Sequence, residues 1–283
     1  MIRFGTCSWK YDSWKGLVYS GKAKSNYLLE YSQKYSSVEI DQWFWSLFAS
    51  NKILLPQTHV VNQYAQSVPD DFKFTVKVPN SITLTHYYRK TKDESLVENP
   101  HFLSNALFEQ FLSKLEPMYN KIGVLMFQFE YLNKIKMASQ NEFLLRFKEF
   151  IVQCDTNYIY AIESRNPNYL NKTYFQFLND HNLGHVFLEG YYMPAIVASY
   201  SKYKTLLRNP VIIRLHGPNR SDIEAKSKGI WNRILEPKDE DLAKITEVIE
   251  EMYSRNLDVY VNVNNHYEGS APLTIERMQK LLE

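Results

Sequence analysis

Cysteine is scarce, two residues in 283, and neither Cys7 nor Cys154 belongs to a spacing that would staple a small secreted fold or hold zinc. A reducing cytosol is the expected home. Glycine is also low, at 9 residues, whereas tyrosine alone contributes 21, so loops around a site are expected to be stiff and aromatic rather than hinged. Charge of one sign is nearly missing: 33 Lys and Arg against 31 Asp and Glu leave a net +2. A broad electrostatic footprint for nucleic acid or an anionic membrane is therefore excluded, and a polyanion would need a local patch. No apolar run approaches the roughly 18 residues of a membrane span, and the opening MIRFGTCSWKYD lacks the basic and apolar regions of a secretory leader. The expectation is an unexported cytoplasmic protein that does not engage a membrane. The phosphate loop GxxxxGK[ST] and the dinucleotide turn GxGxxG are both missing.

What the chain does have is an ordinary core-forming composition, 45% hydrophobic and 23% charged. Short, often β-branched apolar runs alternate with longer stretches of helical period. Ile2–Thr6, Ser37–Asp41, Phe72–Lys77, Ile122–Gln128, Tyr158–Glu163, Gly184–Glu189, Val211–His216 and Val259–Asn264 are expected strands. Between them lie expected helices at Ser25–Lys34, Asn51–Gln66, His101–Met118, Ala138–Val152, Lys172–His181, Asp239–Arg255 and Pro272–Leu282. Strand followed by helix, repeated, implies parallel strands joined by right-handed crossovers. Eight strands in 283 residues fit an α/β fold of the closed (β/α)₈ TIM-like barrel type better than an open doubly wound sheet, the alternative. No linker or shift in composition divides the chain, so residues 1–283 are expected to form one domain. Two connections are long, Pro79–Asn99 and Gly190–Asn209, and long connections often carry function.

Side chains alternate across a strand, so parity assigns polar residues to faces. Glu39 and Asp41 share a face opposite Val38 and Ile40. Lys73, Thr75 and Lys77 oppose Phe72, Phe74 and Val76, and Gln128 closes the fourth strand. Glu163 and Arg165 share one parity, as do Arg214 and His216, and the eighth strand adds Asn262 and Asn264 before Asn265. In each case the polar groups gather at the carboxyl end of the strand, where barrel enzymes place their chemistry. A structural ion network is the competing account, because charges inside a barrel persist only when paired.

These residues fall in an order that resembles a known family, the domain-of-unknown-function family 72 or YecE-like proteins, from Gly5 to Ala271. Gly5-Thr6-Cys7-Ser8-Trp9-Lys10-Tyr11, with Trp14, Gly16 and Tyr19, is similar to the family's G-T-S-x-W-x-Y opening. Val38-Glu39-Ile40-Asp41 with Phe44 and Trp45 resembles V-E-x-N-x-x-F-Y, with Asp41 where Asn is usual. Lys77 with Thr85-His86 resembles a K...T-H pair, and Gln128-Phe129-Glu130-Tyr131 stands where Q-x-P-P is usual. Glu163-Ser164-Arg165-Asn166 resembles E-x-R-H with Asn166 for His. Arg214-Leu215-His216-Gly217 matches R-x-H-G, and Asn264-Asn265 with Gly269 and Ala271 resembles the closing N-N...G-x-A. The resemblance implies a TIM-like barrel and brings no activity with it.

Three chemistries compete for the mouth. Glu39, Asp41, His86, Glu163, Glu189 and His216 are ligand types for Zn²⁺, Mn²⁺ or Mg²⁺, which would make a metal-dependent hydrolase or isomerase. Lys77, Arg165 and Arg214 on the same rim oppose a cation, no HxH or HExxH spacing sharpens the case, and no residue is assigned to a metal. The preferred expectation is an anion site, in an enzyme acting on a phosphorylated or carboxylated small molecule or a phosphodiester. There Glu39, Glu163 and His216 are the candidate catalytic acids and bases, and Lys77, His86, Arg165, Arg214, Asn264, Trp9, Asp41 and Gln128 bind and orient the substrate. A glycosidase is a minor option, because the fourth and seventh strands end in Gln128 and in Arg214 with His216 rather than in paired acids. A non-catalytic nucleic-acid-binding module is the other class, resting on the rings and cations of His86–Lys92. No cofactor and no oligomeric state is assigned.

Overall fold

The computed structural model describes residues 1–22, 26–48, 51–89, 91 and 93–283. Ser25, Lys90 and Lys92, which bear on the expected first helix and on the basic loop, lie outside the described residues. Eight parallel strands form one sheet: β1 Ile2–Thr6, β2 Ser37–Ile40, β3 Lys73–Lys77, β4 Ile122–Phe129, β5 Tyr160–Ser164, β6 Gly184–Gly190, β7 Val211–Gly217 and β8 Val259–Val263. Their order, β1-β8-β7-β6-β5-β4-β3-β2, places first and second at the two ends, and these ends approach each other to give a nearly closed (β/α)₈ barrel.

The seam has its own chemistry. The Tyr31 hydroxyl accepts from the Thr6 N–H at 2.8 Å and donates to the Ser37 carbonyl at 3.1 Å, so a buried phenol bridges β1 and β2. Arg3 Nη1 donates to the Ser36 carbonyl at 3.2 Å. Gly5 makes the approach feasible, because a Cβ there would lie 2.2 Å from the Ser37 carbonyl oxygen.

Outside the sheet run α1 Tyr27–Ser32, α2 Thr58–Gln66, α3 Asn80–Thr83, α4 Asn105–Leu115, α5 Gln140–Ile151, α6 Lys172–Asp180, α7 Ile196–Tyr203, α8 Arg220–Ser227, α9 Asp239–Ser254 and α10 Ala271–Leu281. Side-chain caps set several starts. Asn26, Ser104, Ser139, Asn171 and Asn219 each accept from backbone N–H groups one turn on. The expected helix from Asn51 begins only at Thr58. Pro56 disfavours helical backbone at Leu55, and Lys52–Ile53 instead pairs antiparallel with Leu47–Phe48. The two long connections carry α3 and α7. The sequence Ile196-Val197-Ala198-Ser199-Tyr200 has little helical propensity, and the Glu189 carboxylate, accepting from the Ile196 N–H at 2.9 Å, pins that helix start to β6. Among the described residues no helix is long and apolar enough to cross a membrane.

Parity separates two cores. Val38, Phe74, Phe127, Ile162, Ile213 and Val261 face the helices and belong to the large shell between sheet and helices. Val124, Met126, Ala161, Val186, Ile212 and Tyr260 fill the barrel's own interior. Above them, toward the carboxyl ends of the strands, the interior turns polar.

Candidate active site

Arg214 on β7 is the centre of that polar layer and is 2% exposed. Its Nε and Nη2 donate to the two Glu39 oxygens at 2.8 and 2.7 Å, a bidentate pair across the barrel from β2. Its Nη1 donates to Glu163 Oε2 and more weakly, at 3.4 Å, to Gln128 Oε1. Glu163 Oε1 accepts from Arg165 Nε at 2.9 Å, and Arg165 Nη2 reaches Gln128 Oε1 at 3.1 Å. Asn262 closes the ring, donating to Glu39 Oε2 at 3.2 Å and Thr75 Oγ1 at 2.8 Å. Register makes this possible: Asn262 pairs with Arg214, Gln128 with Glu163 and Glu39 with Thr75, so every member stands at neighbouring levels of adjacent strands.

The charges in this layer are not equivalent. Burial pushes the Glu163 carboxyl up, but Arg214, Arg165 and Lys77 outweigh it and hold it down at about 2. Glu163 is therefore a fixed anion. Asp41 stands one residue beyond β2, next to Lys77 in the register that pairs Ile40 with Val76. Burial, then the Glu39 charge, raises it from 3.8 to about 6. Lys77 is 8% exposed, and its Nζ lies 3.9 Å from the centre of the Phe44 ring. It makes no hydrogen bond or ion pair among the described residues. Burial and the Arg214 charge lower it to about 8. His216 is kept neutral by burial and by Arg214, Arg165 and Lys77, and its Nε2 is 3.6 Å from Cys7 Sγ. Burial and Glu39 hold the Cys7 thiol protonated.

Above the layer, Arg165 connects to a cleft of about 550 Å³ lined by Tyr88, Glu130, Tyr131, Tyr191 and Tyr192. The Arg165 guanidinium lies 4.7 Å from the Tyr191 ring centre. Glu39, Asp41, Lys77, Gln128, Glu163, Arg165, Arg214 and His216 are thus brought together at one end of the barrel. Three sequence candidates make other contacts. His86, its Nδ1 3.0 Å from Thr85 Oγ1, lines a separate polar cavity of about 250 Å³ with Asn99, Lys134 and Arg146. Trp9 is 2% exposed and packs edge-on against Tyr64 beside a cavity that also holds Lys10. Asn264 caps the turn after β8, its Oδ1 accepting from the His266 N–H at 3.0 Å. Asn262 and Thr75, whose inward parity was readable, are the members that the list of candidates left out. Tyr191 follows a strand end with no polar parity to mark it.

The donor set does not suit a resident metal. Both Glu39 oxygens and both Glu163 oxygens are taken by guanidinium groups, Glu189 faces α7, and no three His, Cys, Asp or Glu side chains converge among the described residues.

The family model described as "Protein of unknown function DUF72" matches residues 3–283. The chain belongs to the DUF72 family. A crystal structure of a DUF72 family protein from Thermotoga maritima MSB8 is similar over 100% of this chain and 99% of its own, with 20% identity and a TM-score of 0.69. One from Enterococcus faecalis V583 is similar over 100% and 95%, with 22% identity and a TM-score of 0.67. At those identities the likeness extends to the fold alone. No curated protein matches the chain. Two departures from the DUF72 pattern have structural accounts. Asn166 clasps the loop after β4, donating to the Leu132 carbonyl at 2.9 Å and accepting from its N–H at 2.8 Å. Asp41, held protonated below about pH 6, presents one donor and one acceptor, as an Asn side chain there would.

Proposed function

We propose that this barrel is an enzyme of hydrolase or isomerase type, acting on a small molecule that carries a phosphate or carboxylate bound at the mouth by Lys77 and Arg165. The observation that carries this reading is Lys77 itself. Its ammonium is buried and makes no direct hydrogen bond or ion pair among the described residues, so only the longer-range attraction of Glu39, Glu163 and Asp41 offsets its desolvation, and a substrate anion entering at the mouth would add a direct partner. Arg214 is spent on Glu39 and Glu163, so its part is to hold both carboxylates and, through Gln128, to aim Arg165. Asp41 and Lys77 are the pair whose protonation changes near neutrality. In this reading ionised Asp41 accepts a proton from the substrate and protonated Lys77 both clamps the anion and returns a proton. Neutral His216 serves as a further acceptor beside the Cys7 thiol. The chain acts in a reducing compartment, as its free, buried Cys7 and Cys154 suggest.

Thermal-shift titration with inorganic phosphate and sulfate tests the anion site. Stabilisation of the wild type that disappears in Lys77→Met is expected. Equal stabilisation of both proteins would remove Lys77 from the site and the proposal with it. Once a substrate is in hand, kcat/KM should follow a bell between the apparent values of about 6 and about 8 carried by the Asp41–Lys77 pair.

A further inference from the structure

Proton transfer and anion binding leave the tyrosines of the mouth unused. Tyr88, Tyr131, Tyr191 and Tyr192 are 51%, 58%, 38% and 96% exposed, come from the loops after β3, β4 and β6, and line the same cleft as Arg165. Rings from three separate loops, exposed to water and gathered on one cleft, form a ready surface for another flat group. The Arg165 guanidinium rests on the Tyr191 ring, which holds it at the wall of this cleft. On the same wall, Glu130 Oε1 accepts from Lys136 Nζ at 2.6 Å, while Oε2 has no hydrogen-bond partner among the described residues. A carboxylate oxygen on the wall of this cleft is an acceptor for a ring N–H or amino group. A cleft of about 550 Å³ is in the range that encloses a small ligand.

We infer that the substrate is of the nucleotide class: a heteroaromatic ring bearing N–H donors, joined to a phosphate. The ring lies among Tyr88, Tyr131, Tyr191 and Tyr192 with an N–H on Glu130 Oε2, and the phosphate is held by Arg165 and Lys77. This rests on the anion site proposed above and adds the group at the other end of the molecule.

Calorimetric titration with AMP, ribose 5-phosphate and inorganic phosphate separates the two ideas. AMP should bind at least about tenfold more tightly than ribose 5-phosphate, in line with the contribution of base stacking on aromatic side chains. Tyr131→Ala and Tyr192→Ala change exposed rings and leave the fold intact. Each should erode the AMP advantage while leaving ribose 5-phosphate affinity alone. Equal affinities for AMP and ribose 5-phosphate, both lost in Lys77→Met, would overturn the ring assignment and leave the anion site standing. Failure of all three compounds to bind the wild type would overturn both.

Discussion

The lower and upper halves of the barrel interior obey opposite rules on the same strands. On β7, Ile212 packs with Val124, Met126, Ala161, Val186 and Tyr260, and two residues later Arg214 is equally enclosed but surrounded by carboxylates. The lower half is a hydrophobic core whose worth follows from area and fit. The upper half removes at least three full charges from water, and its Coulombic gain is largely offset by desolvation. Apolar side chains of similar volume would hold the strands as well. That difference teaches that the two halves answer to different terms, area and fit below, charge pairing against desolvation above.

The sharpest way to break this comparison is Arg214→Met, which leaves Glu39 buried without its guanidinium partner and Glu163 with Arg165 alone. A loss of about 3–5 kcal/mol is expected by chemical denaturation, against about 0.5–1.5 kcal/mol for Ile212→Val one layer below. Converting the set together, as Glu39→Leu, Glu163→Met and Arg214→Met, should recover part of the loss, because no buried carboxylate is left without its guanidinium, while Arg165 and Lys77 lose the Glu163 charge. A triple variant as unstable as the single one would mean that the ion network itself stabilises the barrel.

A smaller effect of opposite sign is expected at Lys77. Lys77→Met removes a buried ammonium that has no ion pair among the described residues, so its melting temperature at pH 7 should rise by a few degrees, roughly 1 kcal/mol for a chain of this size. A fall comparable to that of a core truncation would show that the Lys77 stem and its contact with Phe44 matter more than the charge.

Much of this was legible before any coordinates. Strand-helix alternation gave the barrel, and the two-residue period correctly put Glu39, Gln128, Glu163, Arg214 and Asn262 inside it. Period says which face a side chain takes, and one residue past a strand it can still hold, as for Asp41 and Arg165, or give way to a turn. Asn264 keeps the inward parity of Asn262 yet lies one residue past β8, in a turn it caps itself. His86 sits nine residues beyond Lys77, past α3, and the loop carries it to another cavity. Parity also could not divide the roles. That Arg214 is consumed by two carboxylates while Lys77 has none depends on distances across the barrel, between β7, β2 and β5, which no local pattern encodes.

The finest test concerns the rim of the polar layer, where Asp41 is the group whose charge depends most on pH. Its folded value of about 6 lies above the ordinary 3.8 of a solvated Asp, so between those values the folded chain holds a proton that the unfolded chain has released. Stability from this group is present below about pH 4 and is lost as pH rises to about 6. Asp41→Asn removes that loss. The variant should match the wild type below pH 4, where both side chains are neutral, and melt slightly higher above pH 6. Glu163 contributes in the opposite sense, its stabilisation present above 4.5 and lost as pH falls toward 2, so the two groups occupy different windows and can be separated in one pH series. An Asp41→Asn curve parallel to the wild type from pH 4 to 7 would show that Asp41 titrates as a solvated carboxyl. The rim would then be wetter than the enclosed layer beneath it, and the proton acceptor of the proposed reaction would have to be His216 instead.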